Sequence, residues 1–203
     1  EKKNGMYWLT GSQKFHLMQG ITESLAGRVA MIDLLGLSQA EIEERANVSR
    51  PFLPTMAWIE SARKNVAAPP SLQKIYERIW RGSFPHLYET KKTDRDRFYR
   101  SYVQTYIQRD VKDILKISDE NAFHRFLVAV AARTGQILNV ADLARDIGID
   151  NKTAKSWLSI LETSGLIYFL RPYYNNRTKR LVTKSPKLYF YDTGVAAALL
   201  RIK

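Results

Sequence analysis

The chain has 203 residues, 45% of them apolar and 26% charged, with 11 tyrosines and 8 phenylalanines; that is enough for one good core or two small domains and argues against disorder. Thirty-two Lys and Arg against 20 Asp and Glu leave a net charge of +12, which favours a polyanionic partner, the plain alternative being a basic surface with no dedicated one. No apolar run approaches the ~20 residues of a membrane helix, so no membrane partner is expected; no signal-peptide pattern is present, and the lack of cysteine excludes disulfides and thiolate metal sites and fits a cytoplasmic location.

Residues 6–11 read as a short buried strand running into a polar turn, Thr10-Gly11-Ser12. Ser12 is placed to cap a helix over 13–26, and Gly27 to stop it. Residues 29–35 then read as a second buried strand, so that the opening is strand–helix–strand. Two strands alone do not make a stable sheet, so these either have partners elsewhere or are less regular than they look. Ser38 and Glu41 have capping-box spacing. Pro51 and Pro54 open a helix to about Arg63, Pro69-Pro70-Ser71 reads as a linker, and a helix follows to about Trp80 before Gly82-Ser83-Phe84-Pro85 breaks it. Helical periodicity returns over 93–116, where Tyr99, Tyr102 and Tyr106 read as packing residues rather than a base-stacking platform. Another helix is expected over 119–133.

The last third is the most informative. A short amphipathic helix from Val140 is ended by Gly148, Asp150 or Asn151 caps the next one over 152–162, and Gly165 stops that. Residues 166–170 and 187–191 then read as two strands joined by a basic loop. Helix, turn, helix and hairpin together predict a winged helix-turn-helix. The fold class expected is mainly α with small β: strand–helix–strand over 1–38, a helical connecting region over 39–117 and a winged helix over 118–203.

No nucleotide, hydrolase or metal motif is complete. There is no Gly-x-x-x-x-Gly-Lys, no Gly-x-Ser-x-Gly, and His16, His86 and His124 are scattered. This chain by itself is therefore not expected to be an enzyme or to bind a cofactor. The charge is uneven: residues 1–99 hold 15 Lys and Arg against 11 acids, and residues 100–203 hold 17 against 9. Residues 171–187 carry Arg171, Arg177, Lys179, Arg180, Lys184 and Lys187 without one acid, chemistry suited to lying along phosphates. Lys152, Thr153, Lys155 and Ser156 fall near the start of the second helix, where a recognition helix approaches base edges. Double-stranded DNA is one expected partner. An acidic protein docking on the same hairpin is the other, because this fold often serves protein contacts.

The stretch "YWLTGSQ" at residues 7–13 followed by "ESLAGRVAMIDLLGLS" at 23–38 resembles the closing part of the ATPase core in a large family of bacterial and archaeal AAA-type P-loop ATPases. "YVQTYIQRDV" at 102–111, "NAFHRFLVAVAARTGQILN" at 121–139 and "RPYYNNRTKRLVTKSPKLYFYDTGVAAALL" at 171–200 resemble the domain of unknown function that follows that core. The resemblance implies that Thr10 or Ser12 is the sensor orienting the attacking water, and that Arg28 is the arginine offsetting transition-state charge, in cis or across a subunit interface. From the residues alone, Ser12 reads as a helix cap and Arg28 as a helix-end cation. The phosphate loop and the Asp-Glu magnesium strand of such proteins do not occur here, so the sequence reads as a fragment, with ATP and Mg expected only in an intact ATPase and oligomerisation left open. The alternatives are a DNA-binding regulator and a protein-interaction module.

Overall fold

The computed structural model of the chain describes Trp8, Thr10, Ala30 and residues 32–46, 52–53, 55–64, 69–89, 93–106, 119–172 and 185–203. The described residues are mainly helical, with one small antiparallel sheet. Two compact units are present, one comprising Glu1–Leu34 and Tyr102–Tyr191, the other Leu35–Ser101 and Asp192–Lys203.

The second of these is built from helices whose ends are written in the sequence. Helix α1 (Gln39–Ile42) carries the expected capping box: the Ser38 amide donates to the Glu41 carboxylate at 2.7 Å, and the Glu41 amide donates to Ser38 Oγ at 3.3 Å. Helix α2 (Met56–Lys64) begins where the Trp58 amide donates to Thr55 Oγ1. Helix α3 (Leu72–Arg81) is capped by Ser71 and ends at Gly82, whose φ of 80° suits glycine. Helices α4 (His86–Glu89) and α5 (Arg95–Tyr106) follow. The expected helix over 93–116 is described as far as Tyr106.

The C-terminal helix α9 (Thr193–Leu199) returns to this unit and packs on α3. Its buried face, Val195, Ala196, Ala197 and Leu199, is mostly small, which lets the helices approach closely. Trp80 Nε1 donates to the Ile202 carbonyl at 3.1 Å and closes the chain end onto α3.

The other unit holds α6 (Glu120–Ala131), α7 (Val140–Ile147), α8 (Asn151–Thr163) and the strands β1 (Ile167–Leu170) and β2 (Lys187–Phe190). Its core joins Phe123, Phe126, Leu127 and Val130 of α6 to Leu143 of α7, to Trp157, Leu158 and Leu161 of α8, and to Ile167 and Leu188 of the sheet. Trp157 meets the rings of Phe123 and Phe126 edge-on, both at 5.1 Å. Gly148 ends α7 in the left-handed region, at φ 79° and ψ 33°, and has open space around it, so its role is conformational. β1 and β2 pair antiparallel with Tyr168 opposite Tyr189.

One expectation is corrected. Residues 29–35 were expected to form a buried strand, but Ile32, Leu34 and Leu35 pair in no sheet among the described residues and are exposed, Leu34 to 96%. An apolar run has strand character only where a neighbouring strand takes its backbone groups and a core takes its side chains. No described residue supplies either here.

Candidate nucleic-acid interface and a saturated carboxylate

Helices α7 and α8 are joined by a tight turn in which the Ile149 amide donates to the Ala144 carbonyl at 3.0 Å. Asp150 caps α8. One carboxylate oxygen accepts from the Lys152 and Thr153 amides at 2.8 and 2.9 Å, the other from Thr153 Oγ1 at 2.6 Å. The Thr153 side-chain and backbone hydrogen bonds hold the Asp150 carboxyl below the usual carboxylate range. Thr153 is thus half-buried with its hydroxyl spent on the cap, while Lys152, Lys155 and Ser156 point outward on the first turns of α8. Of the expected α8 contacts, the two lysines are presented and Thr153 is not.

The sheet adds a feature the sequence reading missed. Between α6 and α7, residues 135–138 run antiparallel beside β2: Gly135 N donates to the Leu188 carbonyl at 2.6 Å, Leu188 N to Gln136 O at 3.0 Å and Leu138 N to Pro186 O at 2.8 Å. Ile137 bridges Lys187. Phe190 N also donates to Thr134 Oγ1 at 3.1 Å. The signal was short, "GQIL" at 135–138, and lacked the β-branched run that marks a strand. The order is therefore helix, extended segment, helix, helix, strand, loop, strand. Arg171 is exposed at the end of the first strand. Arg177, Lys179, Arg180 and Lys184 lie outside the described residues. Residues 139–164 themselves carry Asp142, Asp146, Asp150 and Glu162 against Arg145, Lys152 and Lys155. Arg145 is bonded to Asp142, and Arg133, just after α6, to Asp146. Among the described residues of α7 and α8, the lysines presented outward are Lys152 and Lys155.

In the helical unit, the "YDTG" motif sets up a buried polar cluster. Asp192 Oδ2 accepts from the Ser83 amide at 2.6 Å and from Ser83 Oγ at 2.8 Å. Its Oδ1 accepts from the Val195 amide at 2.7 Å, capping α9, and lies 2.9 Å from the Tyr99 hydroxyl. That hydroxyl shares its single proton with the Arg81 carbonyl at 2.8 Å. Burial first, and then the Asp192 charge, push the Tyr99 pKa far up. Gly82 and Gly194 leave room for this: a Cβ on Gly194 would strike the Tyr99 ring end and stand 2.9 Å from the Arg81 carbonyl. Beside it, buried Arg95 donates to the Trp80 carbonyl at 2.6 Å and lies over the Trp80 and Tyr99 rings at 4.1 and 4.9 Å. A carboxylate offers about four acceptor positions, and all four of Asp192 are taken. The cluster fixes α9 to the segment after α3 and has no acceptor left for a substrate proton.

Of the residues assigned to a nucleotide, Thr10 is exposed, and Ser12 and Arg28 lie outside the described residues. Among the described residues no group of three or more His, Asp or Glu could hold a metal ion, and no helix is long and apolar enough to cross a membrane.

Residues 72–203 match the family described as Domain of unknown function (DUF8612), and residues 1–43 match the AAA domain. The chain is 26% identical over 198 residues to Uncharacterized protein Mb2031c of Mycobacterium bovis, which covers 97% of this chain. The figures are the same for Uncharacterized protein Rv2008c of Mycobacterium tuberculosis. The chain spans 38% of the length of these relatives. No solved structure matches it.

Proposed function

The chain belongs to the family described as Domain of unknown function (DUF8612), and on that premise we propose that residues 119–191 are a winged helix contacting duplex DNA as the partner-engaging part of an AAA-type ATPase. The observation that carries the reading is the pairing of residues 135–138 with β2. With it, the order of the described elements agrees with that of a winged helix, which supports assigning the wing to the residues between β1 and β2 and the recognition helix to α8. Lys152 and Lys155 reach the duplex from α8. The phosphate contacts are assigned to Arg177, Lys179, Arg180 and Lys184.

The four carboxylates on residues 139–164 make this contact depend on the loop rather than on α8. The acid-free basic stretch 171–187 equally supports a second reading, in which the loop docks on an acidic protein. Titration of a labelled duplex with the chain and with its Arg177→Glu, Lys179→Glu, Arg180→Glu variant separates the two. Duplex binding lost in the variant is the expected result. Unchanged affinity, or binding of acidic protein alone, refutes DNA contact.

The AAA-domain match over residues 1–43 supports assigning ATP and Mg to the protein in which that core is complete. There Thr10 or Ser12 orients the attacking water and Arg28 stabilises the developing charge. Arg28→Ala in such a protein should lower ATP turnover about tenfold or more, measured by phosphate release. Unchanged turnover would make Arg28 a structural residue.

A further inference from the structure

The small sheet has one face against the helices and one turned away from them. Ile167, Leu188 and Phe190 are buried on the inner face. The alternation of strand side chains places Tyr168, Leu170, Lys187, Tyr189 and Tyr191 on the outer face, joined by Ile137 through its bridge to Lys187. Three tyrosines here form a cluster. Tyr168 and Tyr189 are near-parallel, 15° apart with centroids at 5.4 Å, and Tyr191 meets Tyr168 at 4.9 Å, tilted by 49°. A Cβ on Gly135 would stand 3.8 Å from the Tyr189 ring, and Tyr191 is 44% exposed. Leu170 and Ile137 flank the cluster, exposed to 54% and 68%.

Cross-strand tyrosine pairing accounts for Tyr168 and Tyr189. It does not account for Tyr191, a third ring left 44% exposed beside the pair. Among the described residues, Lys187 lies on this face and exposed Arg171 follows β1. Partly exposed rings with these two cations at their border are suited to unpaired bases, which stack on the rings while the phosphates follow the cations.

The geometry points to a binding site for single-stranded nucleic acid on the outer face of the sheet, with bases stacking on Tyr191 and the Tyr168–Tyr189 pair and the backbone held by Lys187 and Arg171. Its base contacts on the tyrosines are distinct from the duplex contact, while Arg171 and Lys187 border the loop to which the duplex contact is assigned.

The test is fluorescence anisotropy of the full chain with a labelled oligothymidylate and with an abasic oligonucleotide of equal length and charge. The expected result is that the oligothymidylate binds about tenfold or more tighter than the abasic strand. Tyr191→Leu, which keeps an apolar side chain and the Tyr191 backbone bond to Leu166, should remove that preference. Tyr191→Phe should retain it, and neither should change duplex affinity. Equal binding of the two oligonucleotides overturns the proposal, since charge alone would explain it. So does a Tyr191→Leu variant with its base preference intact, or a face that binds an acidic peptide and no oligonucleotide. Loss of duplex binding with the base preference kept would count against the winged-helix reading alone.

Discussion

Asp192 shows how one side chain can hold distant pieces of a chain together. Its two oxygens each take two donors, from Ser83, Tyr99 and the first turn of α9. Asp192→Asn replaces one oxygen by a donor that faces donors, so two bonds are lost and polar groups are left unpaired. We expect a loss of about 2–4 kcal/mol in chemical denaturation. A variant as stable as the wild type would contradict the saturated-carboxylate picture. Tyr99 makes a separate prediction from its raised pKa. The phenol is held neutral in the fold, so its contribution is fully present below the unfolded value of about 10 and is lost as pH rises beyond that. Thermal melts should show wild-type stability falling above that pH, with a smaller alkaline loss in Tyr99→Phe. The motif was visible in the sequence as "YDTG". Its role was not, because Ser83 and Tyr99 stand far from it along the chain.

Caps and stops were the most legible features at the level of elements. Ser38 with Glu41, Asp150 and Gly148 all act locally, within a few residues, and each has the role its chemistry implied. Asn139 caps α7 in the same manner, accepting from the Ala141 and Asp142 amides. The cap on α8 has a pH signature. Asp150 titrates below its ordinary range, so its stabilisation is present above the unfolded carboxylate value and lost as pH falls through the lower folded value. The stability gap between wild type and Asp150→Ala should therefore be full at neutral pH and close on acidification; a gap that persists in acid would mean that Asp150 acts through packing. Strands were less legible. The segment 29–35 had the right composition but has no ladder among the described residues, whereas 135–138 had a weak pattern and does pair. A helix closes its own hydrogen bonds, and a strand needs a partner that local pattern does not name.

For the whole molecule, the mainly helical class with a small sheet was evident from periodicity, and the match of residues 1–43 to the AAA domain agrees with the resemblance carried by "LTGS" and "LAGR". The return of α9 to the unit formed by Leu35–Ser101 was not evident, since nothing in a one-dimensional pattern pairs Ala196 with α3. Charge is the property that acts over the full length. A surplus of +12 concentrated toward the C-terminal half predicts association that weakens steeply with salt, because each phosphate neutralised releases about 0.9 of a counterion. The most direct test of the winged-helix account is the slope of log affinity against log salt for a labelled duplex, compared between the wild type and the Arg177→Glu, Lys179→Glu, Arg180→Glu variant. The account predicts a steep negative slope for the wild type and one shallower by about 3 for the variant. Identical slopes, or a wild-type affinity indifferent to salt, would contradict it.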